Sequence, residues 1–105
     1  SVISTWIYNS IHDLEISCFD RNIEMQYVYV QDVVDDFISI LDKDVKQDLY
    51  IEPKKVYETT LGEVLDYINE FKHNIKSQDY KVANLEFKQK LYTTYLDYYR
   101  NSYVQ

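Results

Sequence analysis

Tyr50 and Lys54 stand four residues apart in the pattern Tyr-x-x-x-Lys. One helical turn would stack the two side chains, and the ammonium would then lower the phenol pKa enough for proton transfer. Pro53 lies between them. Proline removes a backbone donor and biases the preceding Glu52 away from the helical region. The pair is therefore not expected on one helical face and receives no catalytic role. His12 and His73 fall near the ends of separate helical patterns. Neither has a cysteine or an acid at ligand spacing on the same apolar face, so both read as surface residues and no metal site is expected. Cys18, flanked by Ile16 and Phe19, reads as a buried structural thiol without an activating neighbour. Asp35, Asp36 and Asp42 could do acid–base work only if burial or crowding separated their pKa values. On the wet face of an amphipathic helix they are solvated charges. Twelve tyrosines are present, and Tyr92, Tyr95, Tyr98 and Tyr99 crowd one segment. Apolar bulk with a polar tip suits a half-buried interface. Stacking on bases or sugars is the alternative, which the acidic surroundings disfavour.

Composition narrows the classes further. The chain has one glycine and one proline. A loop that cradles phosphate needs several glycines so that its backbone can approach closely. A lone Gly62 cannot build one, so no dinucleotide or P-loop cofactor site is expected within these residues. A net charge of -7 argues against a nucleic-acid surface and against an anionic membrane surface. No apolar run approaches the ~18 residues of a membrane span, and no signal peptide is visible. A single cysteine in 105 residues cannot form an internal disulfide, which fits a reducing cytoplasm. The length and a 46% hydrophobic content fit one domain over residues 1–105, with one modest core. The missing start methionine, and a first residue already inside an apolar pattern, make a piece of a longer chain the expectation.

The elements that would position these residues read as α+β: four helices with a few short strands. Val2, Ile3, Trp6, Ile7 and Ile11 recur at helical spacing to about Asp13. Residues 14–19 read as a short strand, with Ile16 and Cys18 on one face. Asp20, Arg21 and Asn22 have turn chemistry. Residues 25–30 read as a second strand buried on both faces. Asp32 would cap a helix whose stripe is Val33, Val34, Phe37, Ile38 and Leu41. Residues 49–51 and 56–59 read as short strands around Pro53. Thr60 and Glu63 form a capping box for a helix through Leu61, Val64, Leu65, Ile68, Phe71 and Ile75, to about Asn74. After a polar connection over residues 76–82, Asn84 would cap a last helix bearing Leu85, Leu91, Tyr92, Tyr95, Leu96 and Tyr99.

Residues 25–38, Met-Gln-Tyr-Val-Tyr-Val-Gln-Asp-Val-Val-Asp-Asp-Phe-Ile, carry a strand–helix signature. It resembles the one in the C-terminal, substrate-binding part of extended short-chain dehydrogenases/reductases of the NAD-dependent epimerase/dehydratase family. Residues 57–63 (Tyr-Glu-Thr-Thr-Leu-Gly-Glu) and 91–96 (Leu-Tyr-Thr-Thr-Tyr-Leu) extend the resemblance to reductases of capsular polysaccharide biosynthesis that complete UDP-N-acetyl-L-fucosamine. The resemblance covers nearly the whole chain. It implies a parent enzyme that uses NAD(P) on a UDP-sugar, with an N-terminal nucleotide-binding domain that is missing here. The glycine-rich fingerprint and the catalytic tyrosine–lysine pair are absent, so these residues alone are not expected to be an active oxidoreductase. The resemblance also implies that Ser17, Cys18 and Phe19 hold the uracil through backbone groups. Several relatives place an arginine where Met25 stands, to bind the diphosphate. Met25 cannot do this, and Arg21 on the preceding turn is the substitute.

Substrate-binding residues are thus expected at Ser17, Cys18, Phe19 and Arg21. The alternative is a small cytoplasmic, helix-rich interaction module that dimerises through its tyrosine-bearing helices. Either way a homo-oligomer is expected, joined by an exposed patch of Val2, Trp6, Tyr27 and Tyr29 and by the open edge of the strand over residues 25–30.

Overall fold

A computed structural model describes residues 1–41 and 55–102. In chain order it contains α1 (Val2–Ile11), β1 (Glu24–Tyr27), α2 (Val30–Leu41), β2 (Tyr57–Thr60), α3 (Leu61–Asn74) and α4 (Glu86–Ser102). The architecture is α+β, with four helices and a two-stranded antiparallel sheet among the described residues. None of the described helices is long and apolar enough to cross a membrane.

The helices begin and end where local chemistry directs. Ser1 Oγ accepts from the Ser4 amide at 3.4 Å and opens α1. α1 closes with Asp13 in the left-handed region, φ 57°. The Leu14 amide returns to the Asn9 carbonyl at 2.8 Å and the Asp13 amide to Ser10 at 3.4 Å, the paired bonds of a Schellman ending. Thr60 Oγ1 accepts from the Glu63 amide at 3.2 Å. Glu63 reaches back to the Thr59 hydroxyl at 2.9 Å, so the expected capping box forms with its return bond shifted by one residue.

α1, α3 and α4 pack on one another around Ile3, Trp6 and Ile7, Val64, Ile68 and Phe71, and Leu91 and Tyr95. Tyr27 closes the sheet end of this core. Phe71 meets Tyr92 and Tyr95 with ring centroids 4.7 and 5.7 Å apart. The buried Ser10 and Tyr95 hydroxyls satisfy each other at 2.9 Å.

Several expectations need correction. Residues 14–19 are not a strand: β2 pairs with β1 instead, Glu24 opposite Thr60 and Tyr27 opposite Tyr57. β1 is shorter than expected and one-sided, with Glu24 and Gln26 exposed and Tyr27 buried. α2 starts at Val30, before the expected Asp32 cap, and none of its residues is buried. α4 starts at Glu86, and the Leu85 carbonyl rather than Asn84 opens it by accepting from the Gln89 amide at 3.0 Å. Trp6 and Tyr27 are buried, while Val2 is exposed and Tyr29 half-buried, so the expected association patch is partly covered within the chain. Tyr92 and Tyr95 likewise pack inside, which removes them from a dimerising face. The expected strand at 49–51 and the Tyr50–Lys54 pattern lie outside the described residues.

Candidate functional site

The expected binding residues sit on one continuous segment between α1 and β1. Its downstream half is fixed. Asp20 Oδ1 accepts from the Asn22 amide at 2.9 Å and holds a tight turn. That turn docks on the start of α3: the Arg21 and Ile23 carbonyls accept from the Gly62 and Leu61 amides, each at 2.9 Å. Two of the unsatisfied donors of a helix N-terminus are thereby filled by backbone. A Cβ on Gly62 would lie 2.9 Å from Arg21 Cβ and 3.0 Å from its carbonyl oxygen. Close approach, not backbone torsion, is what requires glycine there. The Arg21 guanidinium bonds the Gly62 carbonyl at 3.3 Å and pairs with Asp66 at 2.7 Å. Both charged side chains remain more than half exposed.

The upstream half is open. The Leu14 amide and the Glu15 carbonyl are bonded to Asn9. From Ile16 to Phe19 no backbone amide or carbonyl has a hydrogen-bond partner among the described residues. Ser17 is exposed. Cys18 is half-buried rather than fully buried, and the Phe19 ring stands wholly in solvent. A backbone outside helix and sheet, with free donors and acceptors, can read the edge of a planar heterocycle. An exposed ring can stack on its face. A guanidinium alongside matches phosphate oxygens. Met25 is half-buried in β1 opposite Thr59 and offers nothing to an anion.

Two further polar clusters escaped sequence reading. Lys90, on α4, reaches Asp32 at 2.5 Å and lies 5.2 Å from the Tyr29 ring centre and 5.6 Å from that of Tyr57. Burial acts to lower the Lys90 pKa. The Asp32 carboxylate and the adjacent Tyr57 hydroxyl outweigh it and hold the ammonium charged above its ordinary value. The buried Tyr57 hydroxyl influences Lys90 and Glu86 by proximity, but reaches hydrogen-bond geometry with neither. Lys88 is 7% exposed and pairs with Glu70 at 2.7 Å. Glu70 also accepts from the Tyr80 hydroxyl at 2.5 Å. The Lys88 and Tyr80 bonds hold the Glu70 carboxyl below its usual range. Spacing carried a signal for Lys88, which shares the i, i+3, i+7 stripe of Leu91 and Tyr95. Both clusters join elements and present no open acid–base pair. Among the described residues no His, Cys, Asp and Glu side chains gather as a metal centre.

An α+β fold with a docked turn beside an irregular segment of open backbone is the class that these features define. No family model matches the chain. It is 26% identical over 98 residues to a UDP-2-acetamido-2,6-beta-L-arabino-hexul-4-ose reductase of Pseudomonas aeruginosa, covering 93% of this chain and 26% of that protein. It superposes on the capsular polysaccharide assembling protein CapF from Staphylococcus aureus with a TM-score of 0.81 at 28% identity, covering all of this chain and 29% of that one. A CapF structure with the inhibitor 3-isopropenyl-tropolone gives 0.77 at 31% identity, over 93% and 29%. The chain is related to this reductase and to CapF. It spans 26% to 29% of the length of the relatives it matches.

Proposed function

We propose that residues 1–105 fold as one unit and form the substrate-binding part of an NAD(P)-dependent UDP-sugar reductase of capsular polysaccharide biosynthesis. The UDP-amino-sugar that leads to UDP-N-acetyl-L-fucosamine is the proposed substrate. The remainder of the enzyme supplies NAD(P) binding and the catalytic groups. The open backbone of residues 16–19 beside Arg21 is the observation that carries this reading. Ser17, Cys18 and Phe19 hold the uracil edge, and the Phe19 ring covers its face. Arg21 takes the diphosphate. Its pair with Asp66 is solvent-exposed, and such pairs contribute little, so a phosphate can compete for the guanidinium.

Titration calorimetry with UDP, on the protein expressed from its whole reading frame, tests this. Arg21→Ala should weaken binding by about tenfold or more, the scale of one charge-assisted phosphate contact. Phe19→Ala should weaken it by roughly five- to a hundredfold. Unchanged affinity in both variants would exclude the site.

A further inference from the structure

Arg21 has a fixed base and a releasable head. Its turn is pinned to α3 by backbone, the Gly62 and Leu61 amides donating to the Arg21 and Ile23 carbonyls at 2.9 Å. Its guanidinium is held more lightly. Nη2 donates to the Gly62 carbonyl at 3.3 Å and to Asp66 Oδ2 at 2.7 Å. The Arg21 and Asp66 side chains are 53% and 62% exposed, so separating them returns two charges to water at little cost. Two features make this guanidinium the place where an anion must go. The Leu61, Gly62 and Glu63 amides at the start of α3 are already taken by Ile23, Arg21 and Thr60, which removes them as phosphate donors. Arg21 is also the only lysine or arginine in residues 1–41.

We infer that Asp66 is the resident counter-ion of the nucleotide site: its carboxylate occupies Arg21 while the site is empty and is displaced by the diphosphate. This rests on the binding site proposed above and adds the residue that sets its strength. Carboxylate and phosphate compete for the same guanidinium donors, and two anions crowded on one nitrogen repel. Part of any phosphate's attraction to Arg21 is therefore offset by the loss of Asp66. The offset falls on ligands that carry charge to Arg21. It does not fall on uridine, which engages residues 16–19 alone. Asp66 thus sets the weight of the diphosphate against the base in recognition, and it recaptures the guanidinium when the nucleotide leaves. The turn need not move, because its carbonyls stay bonded to α3.

Asp66→Asn tests this, since asparagine keeps an oxygen for Nη2 and loses the charge. Titration calorimetry on the protein expressed from its whole reading frame compares UDP with uridine. The variant should bind UDP about two- to fivefold more tightly, the range of an exposed ion pair, and uridine as before. The gain should vanish near 1 M salt, where the screening length is about 3 Å. A purely structural role for Asp66 would instead weaken both ligands, and a folding defect cannot produce a gain. UDP affinity unchanged or reduced in the variant would overturn the counter-ion role and leave the site standing. So would a gain that uridine shares equally. A parent protein that fails to bind UDP would overturn the site itself, and the counter-ion role with it.

Discussion

Gly62→Ala sets two effects of opposite sign against each other. Alanine favours helix over glycine by up to about 1 kcal/mol, and Gly62 is the second residue of α3. Against this, the new methyl would sit 2.9 Å from Arg21 Cβ and 3.0 Å from the Arg21 carbonyl. The carbonyl is backbone and already bonded to the Gly62 amide at 2.9 Å, so the whole turn must retreat. Overpacking of this kind costs about 1–3 kcal/mol, and loosening the bond costs about 1 kcal/mol more. The steric side wins, with a net loss of roughly 1–3 kcal/mol. In urea the midpoint should fall by about 1 M with an unchanged slope. The displaced turn carries Arg21, so UDP affinity in the whole protein should fall as well. A Gly62→Ala variant as stable as the parent, with undiminished UDP affinity, would show that the turn is not seated on α3 as described.

Phe71 is fully buried between Tyr92 and Tyr95, and Phe71→Ala should cost about 3–5 kcal/mol by chemical denaturation. Ser10→Ala leaves the buried Tyr95 hydroxyl without its partner and should cost about 1–3 kcal/mol in the same assay. Burial raises the phenol pKa of Tyr27 and Tyr95 above the ordinary value of 10.0. The unfolded chain therefore loses these protons first, so their stabilisation is intact below about pH 10 and is lost as pH rises past it. The part of the tyrosinate absorbance that Tyr27→Phe and Tyr95→Phe remove should then appear together with the loss of helical circular dichroism, not before it. Lys90→Met should speed amide exchange over residues 30–41 while changing exchange in α3 little, because the Lys90–Asp32 bond ties the first turn of α2 to α4.

What sequence alone disclosed followed the range of the forces involved. The Thr60–Glu63 cap and the heptad-like stripe of α3 are local chemistry, and both appear where expected. The strand expected at residues 14–19 failed because β propensity does not supply a partner, and β2 is taken by β1. The same failure leaves the backbone of residues 16–19 open, and the proposed nucleotide site rests on that. The stripe of α2 was legible as amphipathic, but its pattern says only that something covers it, not whether that cover lies within these residues. The seat of the Arg21 turn on Gly62 was not legible, since it joins positions 41 residues apart. The burial of Lys88 depends on a carboxylate and a phenol from other segments, Glu70 and Tyr80. Sequence spacing put it on the buried stripe but could not supply those partners.

Hydrogen exchange of the whole-reading-frame protein with and without saturating UDP measures the proposed site directly. The amides of Ser17, Cys18 and Phe19, which have no hydrogen-bond partner among the described residues, should slow by about tenfold or more when the uracil edge occupies them. The Gly62 amide, already bonded to Arg21, should change little. Protection by UDP at other segments, with residues 16–19 exchanging as freely as before, would contradict the assignment of this segment as the nucleotide site.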